Sequence, residues 1–162
     1  GYLRISCVAP QLDEVLNAEW KKLNASTALK GLVLDLRFAS GTDQAAAART
    51  ADRFLASETT LLTVGGETLR ATAKTNAIQL PTAILVNRQT TGAAEVLAAE
   101  AAPAVIVMSG AATDLDRQQF AALGISAYLS KPFFLDDLAP MIANVSCANR
   151  FVANAQDELE SR

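Results

Sequence analysis

The chain has 162 residues, of which 51% are hydrophobic, and a formal charge of −3 at pH 7. It is long enough to form one domain over residues 1–162 with a buried core, and it has no apolar run near the roughly 20 residues that span a membrane. Its basic residues are scattered, so neither a membrane nor a nucleic-acid partner is expected. Histidine is absent, which excludes Ser-His-Asp and Cys-His catalysis and histidine metal sites.

The first third of the chain predicts strands alternating with helices. Asp13 is the candidate N-cap of the first helix, and Thr42 or Asp43 is that of the second. Apolar residues recur at strand or helix spacing in four segments, which predict a strand, a helix, a central parallel strand and a helix in that order: Tyr2–Val8, Asp13–Leu23, Leu32–Phe38 and Ala45–Leu55.

The middle of the chain predicts a β-hairpin. Its arms are Leu61–Val64 and Glu67–Ala73, and the Gly65-Gly66 pair between them tolerates the positive φ angles of a tight turn. After the hairpin, strands and helices alternate again, beginning with a strand, over Thr82–Val86, Gly92–Ala102, Ala104–Met108, Asp114–Leu123, Ala127–Leu129 and Asp136–Val145. The pattern predicts an α/β fold with a mostly parallel sheet flanked by helices and a local hairpin.

The two cysteines, Cys7 and Cys147, lie far apart and lack the spacing of metal ligands. We expect them to be small buried or half-buried hydrophobic residues rather than a disulfide or a nucleophile. No glycine-rich phosphate loop is present. The sequence therefore implies no cofactor and no metal, and it leaves localisation open.

Residues 1–107 carry several runs typical of one peptidase family. They include Gly1–Ile5, the strand Gly31–Arg37 and the segment Ile84–Val96, in which Ile-Leu-Val-Asn precedes a polar turn and Gly-Ala-Ala-Glu-Val. This part resembles the protease domain of the tail-specific, or carboxy-terminal processing, peptidases. The resemblance implies a serine nucleophile at a helix N-terminus, where backbone amides form an oxyanion hole, and a lysine base further along the chain.

Both of these implied catalytic residues are missing at the expected positions. Gly92 occupies the nucleophile position, and no lysine lies between Lys74 and Lys131. Thr90 and Thr91 are alternative hydroxyls, but threonine at this place is more typical of a helix cap. We therefore expect the fold of the peptidase domain without enzymatic activity.

Residues 103–146 carry a second set of runs. Pro103–Gly110 is a strand ending in Ser109, and Ser130-Lys131-Pro132-Phe133 follows the next predicted strand. This part resembles the second half of a response-regulator receiver domain. The resemblance implies that Ser109 and Lys131 contact a phosphoryl group on an aspartate, for which Asp35 is the candidate, although no acidic pair follows the first strand.

Two partial resemblances predict a non-catalytic α/β domain, a natural or engineered chimera with no evolved activity. The alternative is a receiver-like signalling module with Asp35 as the phosphoacceptor. A ligand, if one binds, is expected at the carboxyl edge of the sheet near Asp35, Gly92, Ser109 and Lys131. The helical tail 147–162 packs on the sheet or mediates self-association, and the start at Gly1 is consistent with a trimmed fragment.

Overall fold

A computed structural model describes residues 1–26, 28–101, 105–109, 127–130 and Pro140. The elements within these ranges are, in chain order, β1 (Tyr2–Arg4), β2 (Cys7–Val8), α1 (Leu12–Ser26), β3 (Leu32–Asp35), β4 (Ser40–Gly41), α2 (Gln44–Asp52), β5 (Thr59–Val64), β6 (Glu67–Ala71), β7 (Thr82–Val86), α3 (Ala93–Ala101), β8 (Val105–Ser109) and β9 (Ala127–Ser130).

The main sheet has five parallel strands in the order β1-β3-β7-β8-β9. Successive connections step across the sheet in one direction, and right-handed crossovers of this kind place their helices on one face. The helices accordingly pack in series, α1 against α2 and α2 against α3. The predicted α/β fold with a parallel sheet, flanking helices and a hairpin is confirmed.

The core lies between this sheet and the three helices. The alternate residues Leu32, Leu34 and Leu36 are almost fully buried and join one apolar cluster with the helices. Alanines on α2 and α3, among them Ala47 and Ala94, belong to the same cluster, and their small side chains let the two helices approach closely. The residues between the leucines, such as Asp35, therefore point to the opposite face of the sheet.

Several predicted elements are confirmed. The hairpin forms from β5 and β6 in antiparallel pairing, with positive φ at Gly65 and Gly66. Asp43 caps α2, since its side chain accepts a hydrogen bond from the Ala46 amide at 2.8 Å. The strands predicted near residues 82, 104 and 127 are β7, β8 and β9.

Other predictions need correction. The strand predicted over Tyr2–Val8 is interrupted at Ser6, and its second part, β2, pairs with β4 in a separate two-stranded sheet. Asp13 does not precede α1 but lies in its first turn, where the Gln11 carbonyl accepts from two helix amides. The helices predicted over 114–123 and 136–145, and the tail 147–162, lie outside the described residues apart from Pro140, which is helical.

No helix in the described ranges is both long and apolar enough to cross a bilayer.

The strands β8 and β9 continue the sheet formed by β1, β3 and β7, because β8 pairs with β7 over three residues. The sheet therefore continues through residues 105–107, where the predicted peptidase-like and receiver-like parts overlap.

Candidate functional site

Two turns lie side by side where the neighbouring strands β3 and β7 end. We call residues 36–41 the β3 turn and residues 87–92 the β7 turn. The pairing of Asp35 with Leu85 brings the two strand ends to the same level. The carboxyl edge of a parallel sheet is where open α/β folds bind ligands, so these turns form the candidate site.

A partly buried ion pair joins the end of β3 to the β3 turn. Arg37 donates to the carboxylate of Asp35 from Nε at 2.9 Å and from Nη2 at 2.6 Å, while its backbone amide donates to Oδ1 at 3.0 Å. The Tyr2 hydroxyl donates to Oδ2 at 2.6 Å. Asp35 itself is only 1% exposed, so these donors supply the hydrogen bonds that water would otherwise give.

The charges of this cluster are mutually stabilised. Burial by itself would raise the pKa of the Asp35 carboxyl, but the hydrogen bonds from Arg37 and Tyr2 outweigh burial and hold that pKa below its usual value. The hydrogen bond to Asp35 raises the pKa of the Tyr2 phenol, and the same carboxylate raises the pKa of Arg37. Asp35 is therefore ionised and paired at neutral pH.

The β7 turn is organised by neutral side chains. The Oδ1 atom of Asn87 accepts from the Gln89 amide at 3.2 Å. The Thr90 hydroxyl donates to the Leu36 carbonyl at 2.8 Å and accepts from the Asn87 amide at 3.1 Å. Asn87 and Thr90 are both buried, so their hydrogen bonds are made inside the protein rather than with solvent.

Three hydrogen bonds join the two turns. The Phe38 amide donates to Oδ1 of Asn87 at 3.1 Å, and the Thr91 amide donates to the Ala39 carbonyl at 3.0 Å. The third is the bond from Thr90 to Leu36. Together they make the two turns one surface that leads directly into the N-terminus of α3.

Gly92 is a point of close backbone approach. Its φ is +63°, and a Cβ atom built there would lie 2.4 Å from the carbonyl oxygen of Gly41. A Cβ on Gly41 would in turn lie 2.4 Å from the carbonyl oxygen of Val8. Real Cβ contacts are never this short, so the absence of both side chains lets β2, β4 and the start of α3 stack closely.

The N-terminus of α3 is capped by an acidic residue of its own first turn. The Gly92 amide donates to Oε2 of Glu95 at 2.9 Å, as in the second half of a capping box. The expectation that a threonine side chain caps this helix is not met, because the Thr90 hydroxyl bonds the β3 turn instead. Thr91 is exposed and immediately precedes Gly92.

Of the residues expected to bind a phosphoryl group, Asp35 and Ser109 lie in described strands that are not adjacent. Both Asp35 oxygens already accept hydrogen bonds from Arg37 and Tyr2. Ser109 lies two strands away in β8 and three residues beyond Ile106, which is level with Asp35. From strand geometry their Cα atoms are roughly 14 Å apart. Lys131 lies outside the described residues.

Sequence patterns did not single out Phe38 or Asn87. Phe38 has a φ of +65° and is 56% exposed, although it closes the apolar run predicted as a strand. Asn87 was visible only as part of a family-like run, and nothing local indicated that its side chain would bond the neighbouring turn. Asp35 was expected at this edge, but as a candidate phosphoacceptor rather than as the partner of Arg37.

Cys7 also differs from expectation. It is exposed and carries a free thiol, rather than being buried or half-buried. It lines a pocket of about 210 Å³ between β1 and α1, together with Leu3, Leu12 and Val15 among others. Within the described ranges, no three His, Cys, Asp or Glu residues lie close enough to hold a metal ion.

Comparisons with known proteins identify a family from the sequence and similar folds among solved structures. The sequence profile of Peptidase family S41 matches residues 1–102. A photosystem II D1 C-terminal processing protease is 23% identical, with a TM-score of 0.56 over 67% of this chain and 30% of that chain. A peptidase candidate from Parabacteroides merdae is 18% identical, with a TM-score of 0.52 over 68% of this chain and 39% of that one. No curated protein sequence matches.

These comparisons correct the prediction of a chain without enzymatic activity. That prediction is wrong, because the profile over residues 1–102 is that of a family of peptidases. The expected peptidase-like part is confirmed. The receiver-like part and the chimera receive no support from these matches. The chain spans less than two fifths of either structure above.

Proposed function

Because the chain belongs to Peptidase family S41, whose profile matches more than half of it, we propose that it takes part in hydrolysing peptide bonds of polypeptides. The reaction takes place at the edge formed by the β3 turn, the β7 turn and the start of α3. The observation that carries this placement is the Thr91 amide bond to the Ala39 carbonyl at 3.0 Å. It fixes the helix N-terminus beside the turn after β3.

The helix N-terminus supplies electrostatic stabilisation. The first amides of a helix have no acceptor within the helix, and its dipole places partial positive charge there. A peptide carbonyl positioned at this end of α3 would gain stabilisation as its carbon becomes tetrahedral and its oxygen takes up negative charge. The Glu95 carboxylate holds the Gly92 amide. The Ala94 amide donates to the Thr91 carbonyl and the Glu95 amide to the Gly92 carbonyl, which leaves the Ala93 amide as the candidate donor.

The nucleophile in this proposal is the hydroxyl of Thr91. Its oxygen bonds to the carbonyl carbon while its proton passes to water, the peptide C–N bond breaks and the amine leaves with a proton from water, and a second water molecule hydrolyses the threonine ester to a carboxylate. Gly92 has no side chain, so a hydroxyl from this chain has to come from another residue of the edge. The Thr90 hydroxyl is buried and donates to the Leu36 carbonyl. Thr91 is exposed and adjoins the helix N-terminus, which places its side chain where substrate has access.

The proposed substrate class is an extended polypeptide segment, in particular one near a carboxyl terminus. Support for this comes from the similar structure described as a C-terminal processing protease. Phe38, Arg88 and Thr91 are exposed along this edge, and an open edge accommodates an extended chain more readily than a compact one.

The test compares the chain with its Thr91→Ala and Thr91→Ser variants. A permanently unfolded polypeptide, such as reduced and carboxymethylated lactalbumin, serves as the probe, and mass spectrometry records cleavage. We expect Thr91→Ala to lose more than about a hundredfold in kcat/KM, because the attacking atom is removed, while Thr91→Ser retains part of the activity.

A matched control is Thr75→Ala, since Thr75 is an exposed threonine in the segment after the hairpin. That variant should cleave the probe at the rate of the unsubstituted chain. Cleavage by Thr91→Ala at the same rate would exclude Thr91 as the nucleophile. No cleavage by the unsubstituted chain at any probe concentration would overturn the proposed activity for these 162 residues.

A further inference from the structure

Phe38 combines two features that packing does not explain. Its φ of +65° lies in the left-handed region, which is unfavourable for a bulky side chain. Its ring is 56% exposed, so the conformation is not adopted in order to bury the ring in the core. Backbone strain of this kind persists where the surroundings impose it, and it concentrates at functional sites.

The surroundings of Phe38 do impose this conformation. On one side, Arg37 is held to Asp35 by its backbone amide and its guanidinium. On the other, the Ala39 carbonyl accepts from Thr91. The Phe38 amide itself donates to Oδ1 of buried Asn87. With the backbone fixed from three directions, the Cα–Cβ bond of Phe38 has a fixed direction, and its ring is exposed at the edge.

The charged cluster that precedes Phe38 in the chain is internally neutralised. The Arg37 guanidinium is 2.6 Å from an Asp35 oxygen, so its charge is balanced within the protein. The Tyr2 hydroxyl donates to that same oxygen, and the Tyr2 ring is 53% exposed. Tyr2 and Phe38 are two of the three large hydrophobic residues exposed in the described ranges, and both border Arg37.

We propose that Phe38 is a specificity-determining residue whose ring contacts an apolar side chain of the polypeptide bound at this edge. This inference rests on the proposed function and extends it to a substrate preference. Aromatic rings fixed in position contact apolar groups at a low entropic cost. The paired charges of Asp35 and Arg37 leave that cluster with no net charge to attract an acidic or basic side chain.

The test uses peptides that differ at one position. Labelled hexapeptides of the form acetyl-Ala-Ala-Xaa-Ala-Ala-Ala, with Xaa as Leu, Ser or Asp, are titrated with the chain, and fluorescence anisotropy gives each dissociation constant. We expect the Leu peptide to bind about tenfold more tightly than the Ser peptide, which is the gain from burying an aliphatic side chain in part. The Asp peptide should bind no better than the Ser peptide, although Arg88 is exposed in the β7 turn.

The Phe38→Asn variant isolates the ring from the backbone. Asparagine adopts the left-handed region more easily than phenylalanine, so the variant should keep the turn and unfold at the same temperature or higher. We expect it to lose the tenfold preference for Leu, whereas Phe38→Tyr keeps it. A Phe38→Asn variant that still prefers the Leu peptide would overturn the inference.

The same peptides separate this inference from the proposed function. If the unsubstituted chain binds and cleaves all three peptides equally well, the specificity role of Phe38 falls while the peptidase activity stands. If it prefers the Asp peptide, Arg88 rather than Phe38 selects the substrate, and the inference is again wrong. If no peptide is bound or cleaved, both the proposed function and the inference are overturned.

Discussion

The two turns at the carboxyl edge begin in the same way and are then stabilised differently. In each, a strand-end side-chain oxygen accepts from the amide two residues later: Asp35 from Arg37 at 3.0 Å and Asn87 from Gln89 at 3.2 Å. Asp35 is charged and buried, so it also needs the Arg37 guanidinium and the Tyr2 hydroxyl. Neutral Asn87 needs no counter-charge and accepts from Phe38 across the turns.

The two turns also accommodate unusual backbone angles differently. The β3 turn carries its positive φ at Phe38, where bonds from the neighbouring turn hold an unfavourable conformation. The β7 turn carries its positive φ at Gly92, which has no Cβ to clash with Gly41. The positive φ of Phe38 is therefore maintained by hydrogen bonds from its neighbours, whereas the positive φ of Gly92 requires a residue without a side chain.

Substitution of Gly92 should have the largest effect on stability. Gly92→Ala adds a Cβ into the Gly41 carbonyl as well as strain at positive φ, so we expect a loss of about 3 kcal/mol in the free energy of unfolding. Gly65→Ala is the matched control, since Gly65 has a φ of +60° and nothing within 4 Å of the added atom. It should lose only about 1 kcal/mol.

Denaturation in urea measures both losses. If the two variants lost equal stability, the contact with Gly41 would contribute nothing and the φ angle alone would account for the glycine. The difference between them therefore tests whether α3 and β4 approach as closely as the structure places them.

Removing the Asn87 side chain, whose Oδ1 atom joins the two turns, should have the next largest effect on stability. Asn87→Ala leaves the Phe38 and Gln89 amides without their acceptor, and we expect a loss of about 2 kcal/mol. Gln89→Ala, an exposed substitution in the same turn, should change stability by less than about 0.5 kcal/mol. Thermal unfolding of the three proteins checks this order, and a Gln89→Ala loss equal to that of Asn87→Ala would contradict it.

The smallest of the three losses of stability, the one expected on replacing Asp35, should depend on pH. The pKa of Asp35 is lower in the folded chain than its usual value. Its ionised form therefore stabilises the fold at pH values above about 4, the unfolded pKa, and this contribution is lost as the pH falls through the lower folded pKa. Asp35→Asn should lose about 1 kcal/mol at pH 7, because a neutral amide binds Arg37 more weakly.

Urea denaturation between pH 7 and pH 2 measures how much the ionised Asp35 carboxylate contributes to stability. The stability difference between the unsubstituted chain and Asp35→Asn should shrink as the pH falls below about 4. Tyr2→Phe removes only one donor to the carboxylate and should give a smaller difference in the same direction. A difference that stayed constant down to pH 2 would mean that the charge of Asp35 does not contribute.

The order of the elements followed from local chemistry. The apolar run at Leu32 and the one at Thr82 predicted buried parallel strands, and the Gly65-Gly66 pair predicted the hairpin. Such features depend on side-chain periodicity and on glycine φ preferences, which a short window of sequence contains. The peptidase-like part was recognisable for the same reason, because its motifs are local.

The prediction of an inactive chain was wrong because it relied on a few positions. Gly92 lacks a hydroxyl, yet membership of the peptidase family is carried by the match over residues 1–102 as a whole. Local sequence patterns could not predict the hydrogen bonds between the two turns either, because these join residues far apart in the chain. Thr90 or Thr91 was expected to cap α3, but the Thr90 hydroxyl donates to the carbonyl of Leu36, which is 54 residues away in the chain.

Residues close in the chain were enough to predict the α/β class, the parallel strands, the hairpin and a cap of α2 at Thr42 or Asp43. The tertiary structure decided the pairing of β2 with β4, the left-handed angle of Phe38 and the contact of Gly92 with Gly41. Those features arise where segments distant in sequence meet, and their backbone hydrogen bonds and excluded volume exist only once the chain has folded.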